Sequence, residues 1–103
     1  MTIKIVIEEI TQIDKDIYDL LLLGDSSKDM LNDYINRSQK YVAKISEKIV
    51  GIIVIINTRP KTLEILNIAV REEFQNKGIG EQLIKFVINM ARAGKNEILA
   101  IGT

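Results

Sequence analysis

The sequence contains no cysteine and no histidine. Without cysteine there is no thiol nucleophile, no disulfide framework and no thiolate for zinc; without histidine there is no imidazole for a catalytic dyad or a Cys/His metal site. Proton transfer falls to carboxylates, lysine, tyrosine or backbone groups. An excess of one charge is missing too, with 14 Lys and Arg against 14 Asp and Glu. The basic residues are scattered along the chain, which argues against nucleic acid or an anionic bilayer as partner. No apolar run approaches the ~20 residues of a membrane-spanning helix, and Met1–Ile7 lack the apolar stretch and cleavage site of a secretory signal. The reading is a cytoplasmic protein. Proline occurs once, at Pro60, and marks a turn over residues 57–61.

What is present suits a single small domain. The chain has 103 residues, 47% hydrophobic and 27% charged, the balance of a globular protein with a packed core. Ile3, Ile5 and Ile7 alternate with Lys4 and Val6, which predicts a first strand. From Asp14 the apolar residues Ile17, Leu20 and Leu21 fall at helical intervals, with Gly24 where a C-terminal cap belongs. Ser26 and Asp29 resemble a capping box, and Met30, Leu31, Tyr34 and Ile35 then share one face of a second helix. Tyr41–Ile45 and Ile49–Ile56 form a hairpin through Ser46, Glu47 and Lys48; the second run is apolar almost throughout, as in a strand covered on both faces. In Leu63–Val70 the apolar positions switch from odd (Leu63, Ile65) to even (Leu66, Ile68, Val70), which a β-bulge near Ile65–Asn67 reconciles. Ile79, Leu83, Phe86, Val87 and Met90 define an amphipathic helix ended by Gly94, and Ile98–Ile101 a last strand, parallel to Leu63–Val70 across that helix. The class is α/β (α+β), ordered strand, helix, helix, three strands, helix, strand.

Chemistry concentrates in the stretch from Ile68 to Glu81, where a strand passes through a loop into a helix with Gly78 and Gly80 at its entrance. A helix N-terminus carries unpaired N–H groups and a partial positive charge, and glycine lets a phosphate reach the backbone without meeting a Cβ. The spacing is neither of the two common phosphate loops: Lys77 precedes Gly78 instead of following it, and Leu83 stands where a dinucleotide fingerprint needs glycine. Two readings stay open on spacing alone, an anion cradle or a pair of glycines that cap the helix and let it pack closely.

Gln75-Asn76-Lys77-Gly78-Ile79-Gly80 resembles the Gln/Arg-x-x-Gly-x-Gly/Ala signature of the GNAT superfamily of acetyl-CoA-dependent N-acetyltransferases, and Asn67-Ile68-Ala69-Val70 is similar to that family's cofactor-binding strand. The element order from Ile3 to Ile101 follows the family too. The resemblance implies a mixed, mostly antiparallel sheet flanked by helices, with acetyl-CoA between Leu63–Val70 and Glu97–Ile101. The backbone of Ile68, Ala69 and Val70 would hold the pantetheine arm, the Ile68 N–H would polarise the thioester carbonyl, and N–H groups from Gln75, Asn76, Lys77, Gly78, Ile79, Gly80 and Glu81 would cradle the pyrophosphate. Arg71 and Lys77 either supplement that cradle or are solvated surface charges, and the Glu81 carboxylate is expected to point away. Glu64 is either the general base or an exposed strand carboxylate. No metal is implied.

The family's frequent general acid, a tyrosine beyond the last strand, has no counterpart up to Thr103, and Tyr18, Tyr34 and Tyr41 lie too early to match it. The expectation is therefore a single domain, 1–103, truncated after its fifth strand, with the last strand left as an open edge; pairing of that edge with a second copy or a C-terminal segment is a competing reading. The implied activity is acetyl transfer from acetyl-CoA to an unidentified primary amine by direct attack on the thioester. The alternative is an inactive CoA-binding or strand-exchanging fragment.

Overall fold

The computed structural model describes residues 4–100; Ile3 and Ile101, assigned above to the outer strands, lie outside the described residues. The elements are β1 (Val6–Ile10), α1 (Lys15–Gly24), α2 (Lys28–Tyr34), β2 (Gln39–Ile45), β3 (Lys48–Arg59), β4 (Thr62–Val70), a 3-10 turn (Glu72–Phe74), α3 (Ile79–Ala93) and β5 (Glu97–Ala100). The five strands lie in chain order in one sheet, antiparallel from β1 to β4, with β5 parallel to β4. This is the mixed, mostly antiparallel α+β sheet expected from the sequence. Among the described residues no helix is long and apolar enough to cross a membrane.

The sheet separates two cores. On one face α1 and α2 bury Leu20, Leu21, Leu31 and Tyr34 against Val42, Ile52 and Val54. On the other, α3 lays Ile79, Leu83, Val87 and Ala91 on Val50, Ile53, Ile55 and Leu63. Strand β3 serves both, which is why its run is apolar at successive positions.

Several local readings shift. The first strand starts at Val6 because its pairing with β2 runs from Val6 opposite Lys44 to Ile10 opposite Lys40. Asp14 caps α1 by accepting from the Ile17 N–H at 2.9 Å, whereas α2 is capped by Ser27, one residue later than Ser26, with Ser27 Oγ accepting from the Met30 N–H at 3.2 Å. Met30 faces solvent, while Leu31, Tyr34 and Ile35 face inward. The β2–β3 turn is tighter than read: Ser46 (φ 49°) and Glu47 (φ 70°) are both left-handed, as in a two-residue type I′ turn, and Lys48 already belongs to β3. Gly24 is the last residue of α1 and has no positive φ; its role is close packing, discussed below.

Two bulges inside the sheet set the register, and a third irregularity falls at Thr58 beside the β3–β4 turn. On β4, Asn67 lies opposite Val54 and Ile65 opposite Ile55, so Leu66 is the additional residue. On β3, Gly51 lies opposite Ala43 and Ile49 opposite Lys44, so Val50 is additional. The second was hidden in the sequence because both faces of β3 are apolar. It turns Gly51 toward α3, where a Cβ would come within 3.2 Å of Ile79 Cγ2 and 3.3 Å of Leu83 Cδ1. Gly51 thus seats the first turn of α3 on the sheet. Lys40 is buried and donates from Nζ to the carbonyls of Ile35 and Ser38, closing the C-terminal end of α2; burial lowers its pKa, with Glu9 acting in the opposite direction.

Glycine inside a strand is normally improved by alanine, but Gly51→Ala should destabilise by about 1–3 kcal/mol through overpacking. Thermal unfolding followed by circular dichroism checks this; a melting temperature equal to or above wild type would contradict the seating role.

Candidate functional site

The site is built on the edge of β4. Ladder hydrogen bonds of an antiparallel pair alternate, so the groups of every second residue face the neighbouring strand. The Arg71 N–H donates to Val50 O at 2.9 Å, which places residues 71, 69 and 67 on the β3 side. The N–H groups of Ile68 and Val70 consequently point to the other edge. There β5 pairs with Thr62–Ile65, so past the bulge β4 has no partner on that edge among the described residues. The Gln75 side chain fixes the loop to it, Nε2 donating to Val70 O at 3.0 Å.

Beside this edge stands the start of α3. Helices α1 and α2 carry side-chain caps, but the N-cap of α3 is Gly78, with φ 81° and no side-chain hydrogen bond. The Gln82 N–H closes onto Gly78 O at 3.0 Å, which leaves the N–H groups of Ile79, Gly80 and Glu81 without a helical partner. Left-handed Gly78 followed by helical Ile79 turns successive N–H groups to one side, and nothing lies within 4 Å of where a Gly78 Cβ would stand. At Gly80 a Cβ would meet Val70 Cγ2 only at 3.8 Å, so here glycine is not demanded by crowding.

Strand edge and helix end enclose an open cleft of about 430 Å³. Ile68, Ala69, Val70, Gln75, Asn76, Gly78, Ile79, Gly80 and Glu81 line it, joined by Phe74, which sequence reasoning left unassigned. Lys48 Nζ sits 5.3 Å from the Phe74 ring centroid and steadies that wall. Among the residues singled out for this loop, Lys77 is exposed and does not line the cleft. Arg71 is turned away, its Nε donating to Ile49 O at 2.8 Å beside Asp14 and Asp16 in a separate depression. Although Glu81 contributes to the lining, its carboxylate is exposed and pairs with Lys85 at 3.3 Å, one turn along α3. Glu64 lies before the bulge, half-buried, opposite Ile56 on β3 and Leu99 on β5, and outside the lining. Its neighbours Leu63 and Ile65 pack toward α3, so strand alternation puts Glu64 on the α1/α2 side.

Sequence reasoning missed what lies beneath the bulge. Leu66 and Asn67 both face α1 and α2, as two successive residues of a bulge can. Asn67 Nδ2 donates to Leu21 O at 2.9 Å and to the Tyr34 hydroxyl at 3.0 Å, and that hydroxyl donates to Asp25 Oδ2 at 3.2 Å. Burial pushes the Tyr34 pKa up to about 12, with the Asn67 hydrogen bond acting against it and Asp25 with it. A buried asparagine in an apolar strand was the available signal, but its partners lie 33 and 46 residues away.

The fold and site thus define an α+β protein with a bulged, half-paired strand facing an uncapped helix N-terminus. Residues 7–103 match the model of the Acetyltransferase (GNAT) family, and the chain belongs to that family. It is 41% identical over 100 residues to the uncharacterized N-acetyltransferase YvbK of Bacillus subtilis (strain 168), covering 97% of this chain and 64% of that protein. It superposes with TM-score 0.87 and 41% identity on a Bacillus subtilis acetyltransferase crystallised with CoA, covering 94% of this chain and 64% of the other. A GNAT family acetyltransferase from Elizabethkingia anophelis with acetyl-CoA bound gives TM-score 0.85 at 40% identity, covering 93% and 63%. The chain therefore spans slightly under two thirds of the length of these relatives.

The Tyr34 hydroxyl keeps its proton in the folded chain to about pH 12, against 10.0 normally. Between those values the unfolded chain has already released its proton, so this contribution to stability is present below pH 10 and is lost as pH rises through about 12. In an ultraviolet titration of the 3 tyrosines, Tyr34→Phe should remove the ionisation step near pH 12; an unchanged step there would contradict the network.

Proposed function

We propose that this chain carries the cofactor-binding part of an N-acetyltransferase that transfers the acetyl group of acetyl-CoA to a primary amine. The observation that carries the reading is the convergence on one cleft of two sets of unpartnered backbone N–H groups, Ile68 and Val70 from β4 and Ile79–Glu81 from α3. Relatives at 40–41% identity crystallised with CoA or acetyl-CoA support the choice of ligand.

The residues present fit such a ligand. The open space over Gly78 and the uncapped first turn of α3 suit a pyrophosphate, which the helix N-terminus favours electrostatically. The free edge of β4 suits an extended amide-bearing arm added like a strand, with Gln75 already holding the Val70 carbonyl. Bound acetyl-CoA supplies an acetyl group activated as a thioester. The Ile68 N–H donates toward the carbonyl oxygen that gains negative charge as the amine attacks. With acetyl-CoA bound, attack would form the bond between amine nitrogen and acetyl carbon as the carbon–sulfur bond breaks, and CoA would leave as its thiolate. An alkylamine is mostly protonated near neutral pH, so a base is useful, and Glu64 on the α1/α2 side of β4 takes that proton directly or through water.

Gly80→Glu tests the phosphate assignment cleanly. Replacing glycine inside the first turn by an acidic residue helps the helix, so melting temperature should hold or rise. A pyrophosphate would be repelled, and calorimetric titration with CoA should show affinity at least about tenfold weaker, about 1.4 kcal/mol. Wild-type affinity in the folded variant, or no CoA binding by the wild-type chain, would contradict the reading.

A further inference from the structure

Among the described residues, Asn67 Oδ1 is the only buried side-chain nitrogen or oxygen without a hydrogen-bond partner. Leaving a buried amide oxygen unsatisfied costs its desolvation, so a side chain that serves only packing would be poorly chosen here. The amide does something a leucine would not. Its Nδ2 reaches the last turn of α1 at Leu21 O and the side chain of α2 at the Tyr34 hydroxyl, while Tyr34 holds Asp25 in the connection between those helices. One side chain on the bulge thereby anchors β4 to two helices and their link.

Gly24 presses on the same point from outside. A Cβ there would stand 2.0 Å from Asn67 Oδ1 and 2.6 Å from Ile68 O, so the end of α1 packs directly on the orphaned oxygen and on the next carbonyl. The peptide group between these contacts is the one that joins Asn67 to Ile68, and it bears the Ile68 N–H. Its orientation depends on two torsions, Asn67 ψ and Ile68 φ. Asn67 is immobilised by its amide on one side, and the Ile68 carbonyl is bounded by Gly24 on the other.

We propose that Asn67 is a positioning residue, which acts with Tyr34 and Gly24 to hold the peptide plane that presents the Ile68 N–H to the cleft. The unsatisfied Oδ1 is tolerated because the two donated hydrogen bonds fix that plane. The proposal rests on the reading of the cleft as the acetyl-CoA site. It also makes the α1–α2 segment part of the apparatus that orients the thioester carbonyl.

Amide chemical shifts in nitrogen-15 labelled chain separate this role from plain stability. In wild type, CoA should shift the Ile79, Gly80 and Glu81 amides, and acetyl-CoA should add a further shift at Ile68 because only it brings the thioester carbonyl. In folded Asn67→Leu the α3 shifts should persist, with CoA affinity within about threefold of wild type, while the acetyl-dependent Ile68 shift is lost. Tyr34→Phe, which keeps the ring and removes one anchor, should reduce that shift and serves if Asn67→Leu does not fold. An undiminished acetyl-dependent Ile68 shift in either folded variant would overturn the positioning role. Absence of any α3 response to CoA in wild type would instead remove the cofactor reading, and the proposal with it.

Discussion

Opposite the Val54–Ile55 step of β3, β4 accommodates Leu66 as an additional residue, and most of what is distinctive in this chain follows from that insertion. Before it, Leu63 and Ile65 pack toward α3; after it, Ile68 and Val70 do. Both segments keep an apolar face on the same core only because the extra residue resets the alternation. The insertion also drops Asn67 among α1 and α2, where it finds its two acceptors. Past it, the outer edge of β4 carries backbone groups that no other described strand takes up. Packing and an unpaired strand edge thus come from one irregularity.

Three glycines meet three different demands around this strand. Gly24 lets the end of α1 touch the Asn67–Ile68 backbone, and Gly51 lets α3 settle on β3. Gly78 supplies a left-handed residue that ends the loop and starts α3 without a side-chain cap. The first two bring the helices close enough to fix the position of β4 and of the α3 N-terminus; the third leaves that N-terminus open. The groups that face the cleft are mainly backbone N–H groups, so their placement is set by fold geometry more than by side-chain identity.

How much of this was legible in the sequence depended on the range of the interaction concerned. The β4 bulge could be read because the switch from Ile65 to Leu66 breaks a two-residue period, and the loop into α3 because Gln75–Gly80 is a contiguous pattern. The bulge at Val50 left no trace, since Ile52 and Ile53 are apolar for opposite faces. Gly24 at the end of a helical run looks like a cap, and only the distant contact with Asn67 shows otherwise. Arg71 next to a phosphate loop looks like a phosphate ligand, but its guanidinium is committed to the Ile49 carbonyl across the sheet. Serines stand side by side at 26 and 27, and it is Ser27 whose Oγ accepts from the Met30 N–H.

The proposed function requires a phosphate-bearing ligand between the β4 edge and the α3 N-terminus. A crystal structure of this chain with CoA is the most direct test. Pyrophosphate is expected on the N–H groups of Ile79–Glu81, with the pantetheine arm running along Ile68–Val70. Pyrophosphate bound instead at Arg71 and Lys48, or an arm that avoids the β4 edge, would contradict it.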